Sequence, residues 1–234
     1  MADRPARVPG EPLARGPVEG ADAAEGPRVG VLALQGDVLE HLRMLDRVGA
    51  RGVLVKRPAD LDALDAILVP GGESTTIGKL AGMYGLLEPL RERIRAGLAA
   101  FGTCAGAILL GRGALLADGR ASDQPLLGVL DTVARRNAFG RQVTSFEADL
   151  EVAGVDGGPL RAVFIRAPWF EEVGPGVEVL ASVATPAGER AVVVRQGRVL
   201  ASAFHPELSG DPRLHRLFVT SLPRSSPASA TPRC

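Results

Sequence analysis

The feature that most constrains the fold of this chain is a short apolar strand that leads through a turn of small residues directly into an apolar helix. Ala99–Phe101 has the pattern of the strand, Gly102-Thr103-Cys104 forms the turn, and Ala105–Leu110 begins the helix. A continuous apolar strand is typical of a sheet that helices cover on both faces. The junction therefore predicts an α/β fold with a cysteine at the end of a buried strand.

The same alternation extends along most of the chain. Before the junction, strand patterns at Val29–Leu34, Val53–Val55 and Ala66–Val69 alternate with helical patterns over Asp37–Val48 and from the Ser/Thr run after Gly72 to about Gly97. After it come mainly strand patterns, at Val129–Val133, Val143–Leu150, Ala162–Ile165, Val177–Ser182, Ala191–Val194 and Val199–Ala203, and a closing helix over Pro212–Leu222. We expect an α/β domain of three layers, with a mostly parallel sheet, helices on both faces and an antiparallel extension.

Composition limits the class of protein and its domain organisation. The 234 residues are 46% hydrophobic, and 27 basic side chains balance 27 acidic ones, so we expect no nucleic-acid or membrane partner. No apolar stretch approaches the roughly 20 residues that span a bilayer, and Cys104 and Cys234 make no disulfide framework, which predicts a cytoplasmic protein. Segments 1–27 and 223–234 are rich in Pro, Gly, Ala or Ser and are predicted to be disordered, which leaves one folded domain at 28–222.

Cys104 is the candidate nucleophile. It lies between Gly102 and Gly106 at the strand-to-helix turn, a position that exposes a side chain and places it at the positive end of a helix dipole. Such surroundings lower a thiol pKa from about 8.5 and favour the reactive thiolate. A buried cysteine that serves only as a small apolar residue fits the same position.

His205 and Glu207 are the candidate base and its orienting carboxylate. They follow the strand Val199–Ala203, and extended residues two apart point to the same side, so the carboxylate is expected beside the imidazole. A surface loop after a strand also explains His-Pro-Glu. His41 and His215 lie in helical patterns and are expected to be solvated or half-buried.

Other residues are candidates for binding a substrate. The loop Pro70-Gly71-Gly72-Glu73-Ser74-Thr75-Thr76 follows a strand at the edge where open α/β sheets bind ligands, and the N–H groups of Gly72 and Ala105 are candidate oxyanion donors. A tight turn needed only for packing explains the loop equally well. Arg136 and Arg166 follow strand patterns and suit a carboxylate, or are simply solvated. Without a His-x-x-x-His or Cys-x-x-Cys pair, no metal and no other cofactor is predicted.

Taken together, these motifs resemble one family. The runs that carry the resemblance are Leu34-Gln35-Gly36, Pro70 to Thr76, Phe101 to Gly106, Arg136-Asn137-Ala138-Phe139-Gly140-Arg141-Gln142, Ser145 to Leu150, Phe164-Ile165-Arg166-Ala167-Pro168 and Phe204-His205-Pro206-Glu207. They are similar to the PdxT family, the glutaminase subunits of pyridoxal 5′-phosphate synthase within the class I (triad) glutamine amidotransferases. The resemblance covers about Val29 to Leu222. The cysteine turn and His-Pro-Glu belong to the whole class. The Gly-Gly-Glu-Ser-Thr-Thr, Arg-Asn-x-Phe-Gly-Arg-Gln and Phe-Ile-Arg-Ala-Pro runs are much more particular to this family.

The resemblance implies hydrolysis of L-glutamine to L-glutamate and ammonia, with ammonia passed to a PdxS synthase subunit for pyridoxal 5′-phosphate biosynthesis. It implies that Cys104, His205 and Glu207 form the catalytic triad. It further implies glutamine-binding positions at Gly72, Glu73, Ser74, Arg136, Ile165 and Arg166, and a position near the site and the partner contact at Gln35. Glutaminases of this kind are typically weak until the synthase docks.

Two other functions fit the same residues. The chain resembles, less closely, glutaminase subunits that serve other synthases, and the Phe-Gly-Arg-Gln and Phe-Ile-Arg-Ala-Pro runs argue against these. The same fold can also serve as a non-catalytic binding or redox module with Cys104 as its sensor. The departures from the family pattern are the N-terminal extension, the Pro/Ser-rich tail and Trp169-Phe170, none of which lies in the triad motifs.

Overall fold

The computed structural model of the chain describes residues 26–140, 145–186 and 188–223. Nearly all of the two segments predicted to be disordered, 1–27 and 223–234, lies outside these ranges, as do Arg141, Gln142 and Cys234. Within the described ranges, no helix is both long enough and apolar enough to cross a membrane.

The described ranges form twelve strands and five α-helices. The first half contains β1 (Arg28–Leu32), α1 (Val38–Arg47), β2 (Arg51–Val55), β3 (Ala66–Val69), α2 (Ser74–Met83), α3 (Leu87–Arg95), β4 (Ala99–Thr103), α4 (Ala105–Leu110) and β5 (Gly111–Leu115). The second half contains β6 (Leu130–Arg135), β7 (Ser145–Leu150), β8 (Leu160–Ile165), β9 (Trp169–Val173), β10 (Glu178–Thr185), β11 (Gly188–Gln196), β12 (Val199–Ser202) and α5 (Arg213–Thr220). Two short 3₁₀ turns occur at Pro58–Leu61 and Pro206–Leu208.

One large mixed sheet organises the fold. Its strand order is β2-β1-β3-β4-β12-β11-β9-β6-β5, with β10 paired to β11. The pairs from β2 to β12 are parallel, whereas β12-β11, β11-β10, β11-β9 and β9-β6 are antiparallel. β7 and β8 form a separate antiparallel pair. This topology confirms the predicted mostly parallel sheet with an antiparallel extension.

Helices cover both faces of the parallel part. Gly52 of β2 faces α1, since a Cβ there would lie 2.6 Å from a leucine of that helix, and Gly102 of β4 faces α4 in the same way at 2.6 Å. The Phe101 ring, on the side of β4 opposite to Gly102, packs against His215 and Phe218 of α5. The pairing register puts Gly52 and Phe101 on the same face, so α1 and α5 cover one side and α4 the other. The fully buried strands β3 and β4 form the centre of the core between them.

The structure corrects three details of the sequence prediction. The single helical region that was expected to extend to about Gly97 is two helices, because α2 ends at Met83 and Gly85 adopts a φ of 67°. Strand β5 was missed because two of its five residues are glycines, which disfavour strands by propensity. Strand β9 was missed because its polar Glu171 and Glu172 leave no clear alternation.

Candidate active site

Cys104 lies at a strained turn between β4 and α4. Its backbone has φ 47° and ψ −103°, a conformation that residues other than glycine rarely adopt. Its backbone N–H donates to the carbonyl of Ser202 at 2.8 Å. The side chain is 6% exposed and is a free thiol. The parallel strand carries the cysteine to the carboxyl edge of the sheet, and the helix that follows directs its N-terminus at the thiol.

The two glycines beside Cys104 are needed for close packing of this turn. A Cβ on Gly106 would lie 1.9 Å from the carbonyl oxygen of Val69, and a Cβ on Gly102 would lie 2.7 Å from the carbonyl carbon of Gly106. Neither distance is tolerated between real atoms. The Gly-x-Cys-x-Gly spacing therefore lets α4 start directly against the end of β3.

His205 and Glu207 are joined by a short hydrogen bond. Nδ1 of His205 lies 2.7 Å from Oε1 of Glu207, and the Glu207 side chain is fully buried. The backbone is not extended, contrary to the prediction, because Pro206 begins a 3₁₀ turn that has His205 at its N-cap. This turn brings the Glu207 carboxylate to the His205 ring. The predicted contact is therefore present, but a 3₁₀ turn forms it and not an extended strand.

Asp37 is a second carboxylate at the same ring nitrogen, and the sequence analysis missed it. Its Oδ2 lies 3.2 Å from Nδ1 of His205. Burial lowers the pKa of His205, but interactions with Asp37, Cys104 and Glu207 outweigh that effect and raise the pKa above its usual range. The hydrogen bond to His205 lowers the pKa of Asp37, and burial raises that of Glu207. Since both carboxylates use Nδ1, Nε2 is the ring atom left for Cys104.

His41 and His215 are fully buried, so the prediction of solvated or half-buried side chains is wrong. Nδ1 of His41 lies 3.0 Å from Nε2 of His215, and Nε2 of His41 lies 3.1 Å from Oγ1 of Thr103. Helices α1 and α5 lie on the same face of the sheet, and each imidazole gives the other a polar partner that solvent would otherwise supply.

A cavity of about 340 Å³ opens in front of Cys104. Every residue that the sequence marked as a site candidate lines it except Glu207, which lies behind His205. Lining residues among those candidates are Gly72, Glu73, Ser74, Cys104, Ala105, Arg136, Ile165, Arg166 and His205. Gln35, Asp37, Ile108, Asn137, Pro168 and Leu208 complete the lining. The fold thus gathers segments from both halves of the chain around one thiol.

Glu73 and Arg136 form the rim on one side of this cavity. The Glu73 carboxylate caps α2, accepting the N–H of Thr76 at 2.7 Å, and also pairs with Nη2 of Arg136 at 2.7 Å. Burial opposes ionisation, but the Thr76 hydroxyl and N–H donors and Arg136 lower the pKa of Glu73 to about 2. Gln124 accepts from Ser74 at 3.1 Å and from Arg136 at 3.0 Å. No local motif marked Gln124, because its role depends only on contacts across the fold.

Arg166 differs from Arg136 in having no ion pair among the described residues. It follows Ile165 at the end of β8 and adopts a positive φ of 44°, as does Asn137 at 47°. Both strained residues line the cavity. An exposed guanidinium at the mouth of a cavity, with no carboxylate partner in the described part of the chain, is suited to a ligand carboxylate.

The two candidate oxyanion donors lie at the same cavity. Ala105 is the first residue of α4, where a helical N–H has no acceptor within its own helix. Gly72 has a φ of 149°, and a Cβ there would lie 2.4 Å from Oε1 of Gln35. The same Gln35 oxygen accepts the N–H of Glu73 at 2.8 Å. The Gln35 side chain therefore occupies one backbone donor of the Gly72 loop, the N–H of Glu73.

Asp37, His205 and Glu207 also bring ligand-type atoms within 4.8 Å of one another. Nδ1 of His205 is hydrogen-bonded to the Glu207 carboxylate, which is the arrangement of an oriented base. The expectation that this cluster binds no metal stays a prediction.

Comparison with known proteins covers most of the chain and points to the same family. A model of the SNO glutamine amidotransferase family matches residues 31–224. Pyridoxal 5′-phosphate synthase subunit PdxT of Frankia alni is 62% identical over 194 residues, 83% of this chain and 94% of that protein. The protein of the same name from Acidothermus cellulolyticus is 62% identical over 196 residues, 82% of this chain and 92% of that protein. A crystal structure of a glutamine amidotransferase matches with a TM-score of 0.75 and 54% identity, covering 82% of this chain and 97% of that one. This chain belongs to the SNO glutamine amidotransferase family.

Proposed function

We propose that this chain hydrolyses L-glutamine to L-glutamate and ammonia and supplies the ammonia to a PdxS synthase subunit for pyridoxal 5′-phosphate (vitamin B6) biosynthesis. One observation supports this proposal above the others. Cys104, at a strained strand-to-helix turn, shares a cavity with His205, whose Nδ1 is held 2.7 Å from the Glu207 carboxylate. A thiol, an imidazole and a buried carboxylate in this order form the arrangement of a cysteine hydrolase.

The reaction follows from these positions. The Cys104 thiolate attacks the side-chain carboxamide carbon of glutamine, and the N–H groups of Gly72 and Ala105 stabilise the oxyanion. The C–N bond then breaks, and His205 gives its proton to the departing ammonia. Water, deprotonated by His205, attacks the γ-glutamyl thioester, the C–S bond breaks, and glutamate leaves with the thiolate restored.

The rim of the cavity supports recognition of the amino-acid end of glutamine. Arg166, which has no ion pair with any residue that the structure describes, offers its guanidinium for the α-carboxylate, and Ile165 lies next to it at the cavity mouth. Arg136 is already bound to Glu73 and Gln124, so we assign it to holding the shape of the Glu73–Ser74 segment. Glu73, ionised at neutral pH, suits the α-ammonium group.

Dependence on a partner is part of the proposal. Gln35 accepts the N–H of Glu73, the residue next to the proposed oxyanion donor Gly72, and we infer that this loop rearranges when the oxyanion site is completed. Docking of PdxS is the event we assign to that change, in line with the names of the relatives. We place the glutaminase domain at 28–222 and the protein in the cytoplasm, where the unpaired Cys104 stays reduced.

Glutamate release tests the proposal directly. The chain is mixed with purified PdxS, and glutamate is measured for the wild type and for Cys104→Ala, with and without PdxS. We expect release by the wild type, a rise on adding PdxS, and loss in the variant. As a matched control, ammonium chloride replaces glutamine, and pyridoxal 5′-phosphate formation by the complex with Cys104→Ala should persist. Release of glutamate by Cys104→Ala at the wild-type rate would overturn the mechanism.

A further inference from the structure

Behind the triad, on the side away from the cavity, lies a second set of buried polar groups that the proposed mechanism does not use. Oε2 of Glu207 has no hydrogen-bond partner among the described residues, and Nε2 of His41 lies 3.5 Å from it. The same nitrogen lies 3.1 Å from the hydroxyl of Thr103, and Nδ1 of His41 lies 3.0 Å from His215. The side chains of His41 and Glu207 are both fully buried.

The protonation states of the two imidazoles determine which ring nitrogen donates and which accepts in these contacts. Burial, together with repulsion from His215 and His205, lowers the pKa of His41 well below its usual range, and burial lowers that of His215 to about 3. Both rings are therefore neutral, and each carries one N–H. A buried carboxylate oxygen favours the tautomer of His41 that directs its N–H toward Glu207. Nδ1 of His41 is then an acceptor and receives the Nε2–H of His215.

We propose that His41 is a positioning residue for the glutamine hydrolysis proposed above, because its imidazole N–H faces Oε2 of Glu207 and keeps Oε1 on His205. His215 acts through His41, since its N–H holds the tautomer that His41 needs. The proposal rests on the proposed function for its effect on rate, but the contact itself does not depend on the substrate.

Helix α1 and the residue before it supply two side chains that contact His205 and Glu207. Asp37, just before the first residue of α1, holds Nδ1 of His205 at 3.2 Å, and His41 lies one turn later beside Glu207. The backbone N–H of His41 donates to the backbone carbonyl of Asp37 at 3.2 Å, one helical turn apart, so the two side chains share one helical face. Among the described residues, the charged or titratable groups that face Glu207 are thus His205 on its own turn, Asp37 just before α1 and His41 on α1. His41 in turn faces His215 on α5.

Loss of the His41 imidazole N–H should raise the pKa of Glu207. Oε2 of Glu207 is buried and has no hydrogen-bond partner among the described residues, so the His41 N–H at 3.5 Å is the positive end of a dipole that faces its charge. Removing that N–H favours the protonated carboxyl group. A neutral Glu207 no longer stabilises the imidazolium of His205, so the thiolate forms only at higher pH. A merely structural role would lower stability without moving any pH profile.

A matched pair of variants tests this role. In His41→Gln the amide nitrogen replaces Nε2 and reaches Glu207, whereas in His41→Asn it replaces Nδ1 and reaches only His215. The first readout is the pH profile of kcat/KM for glutamate release with PdxS. The second is the pH profile of Cys104 alkylation by iodoacetamide in a Cys234→Ser background, which needs no glutamine. Leu45→Ala, a core variant on the same helix, controls for lost stability.

For His41→Asn we expect the acidic limb of both profiles to move up by about one pH unit, kcat to fall about tenfold or more, and KM to stay within about twofold. His41→Gln should restore the wild-type limb, and Leu45→Ala should lower Tm without a shift. A wild-type limb in His41→Asn, or an equal shift in His41→Gln, overturns the proposal. Failure of the wild type to release glutamate refutes the proposed function instead, and the alkylation profile still decides the role of His41.

Discussion

Asp37 Oδ2 lies 3.2 Å from Nδ1 of His205, the ring nitrogen that also bonds to Glu207 at 2.7 Å. Two carboxylates therefore share one imidazole N–H, and they come from different elements of the fold. Glu207 belongs to the 3₁₀ turn after β12, whereas Asp37 precedes α1. Their different burial, 34% exposure for the Asp37 side chain and none for that of Glu207, suggests unequal shares in holding the ring.

Removing the inner carboxylate should cost more than removing the outer one. We expect Glu207→Gln to lower kcat/KM for glutamate release about 10²- to 10⁴-fold, because an amide can donate to Nδ1 and turn the ring into the wrong tautomer. Asp37→Asn should cost only about fivefold, the value of one modest hydrogen bond. The double variant should lose more than the product of the two, since each carboxylate compensates in part for the other. Strictly multiplicative losses would contradict shared support.

Arg166 should control binding of glutamine more than its chemistry. Arg166→Ala is expected to raise KM about 10- to 100-fold, the value of a charge-assisted hydrogen bond to a carboxylate, with kcat changed far less. Arg136→Ala is the comparison, and it should lower kcat as well because it frees Glu73 and Gln124. Steady-state kinetics with PdxS separate the two. An unchanged KM in Arg166→Ala would remove Arg166 from the substrate site.

The turn around Cys104 should be intolerant of any side chain at Gly106. A Cβ there would meet the Val69 carbonyl at 1.9 Å, so we expect Gly106→Ala to reduce the free energy of unfolding by about 3 kcal/mol or more. Gly82→Ala is the matched control, because Gly82 lies in α2 with open space around it. That substitution should stabilise by about 0.5–1 kcal/mol. Urea unfolding measures both, and equal stabilities would contradict the packing at β3.

Acid should destabilise the protein through its buried histidines. Burial lowers the pKa of His215 to about 3 from a usual value of 6.5, so below pH 6.5 the unfolded chain binds a proton that the folded protein excludes. Stability from this group is full above pH 6.5 and is lost as pH falls toward 3, by about 2 kcal/mol between pH 7 and 5. In His215→Phe, that part of the loss should disappear from urea unfolding curves. Equal losses for the two proteins would show that His215 is not buried in its neutral form.

Much of the fold and of the candidate site could be predicted because it depends on local pattern. β3 was predicted with its observed bounds and α4 with its observed start, since a continuous apolar run adjoins a glycine-containing turn in each case. Most residues of the cavity were predicted, through motifs that follow strand ends and through the family resemblance, because the carboxyl ends of parallel strands meet at one edge. His205 and Glu207 were paired correctly, although through a different backbone conformation.

What only the tertiary structure decided are the contacts between distant elements. The sequence by itself determined the α/β alternation, the glycines that let Cys104 occupy its turn, and the family. It did not reveal that Asp37 reaches His205, that Gln124 supports Arg136, or that His41 and His215, 174 residues apart, lie buried side by side. The physical reason is that periodicity records which face of an element is apolar, whereas a buried polar side chain is tolerated only where another element supplies its partner.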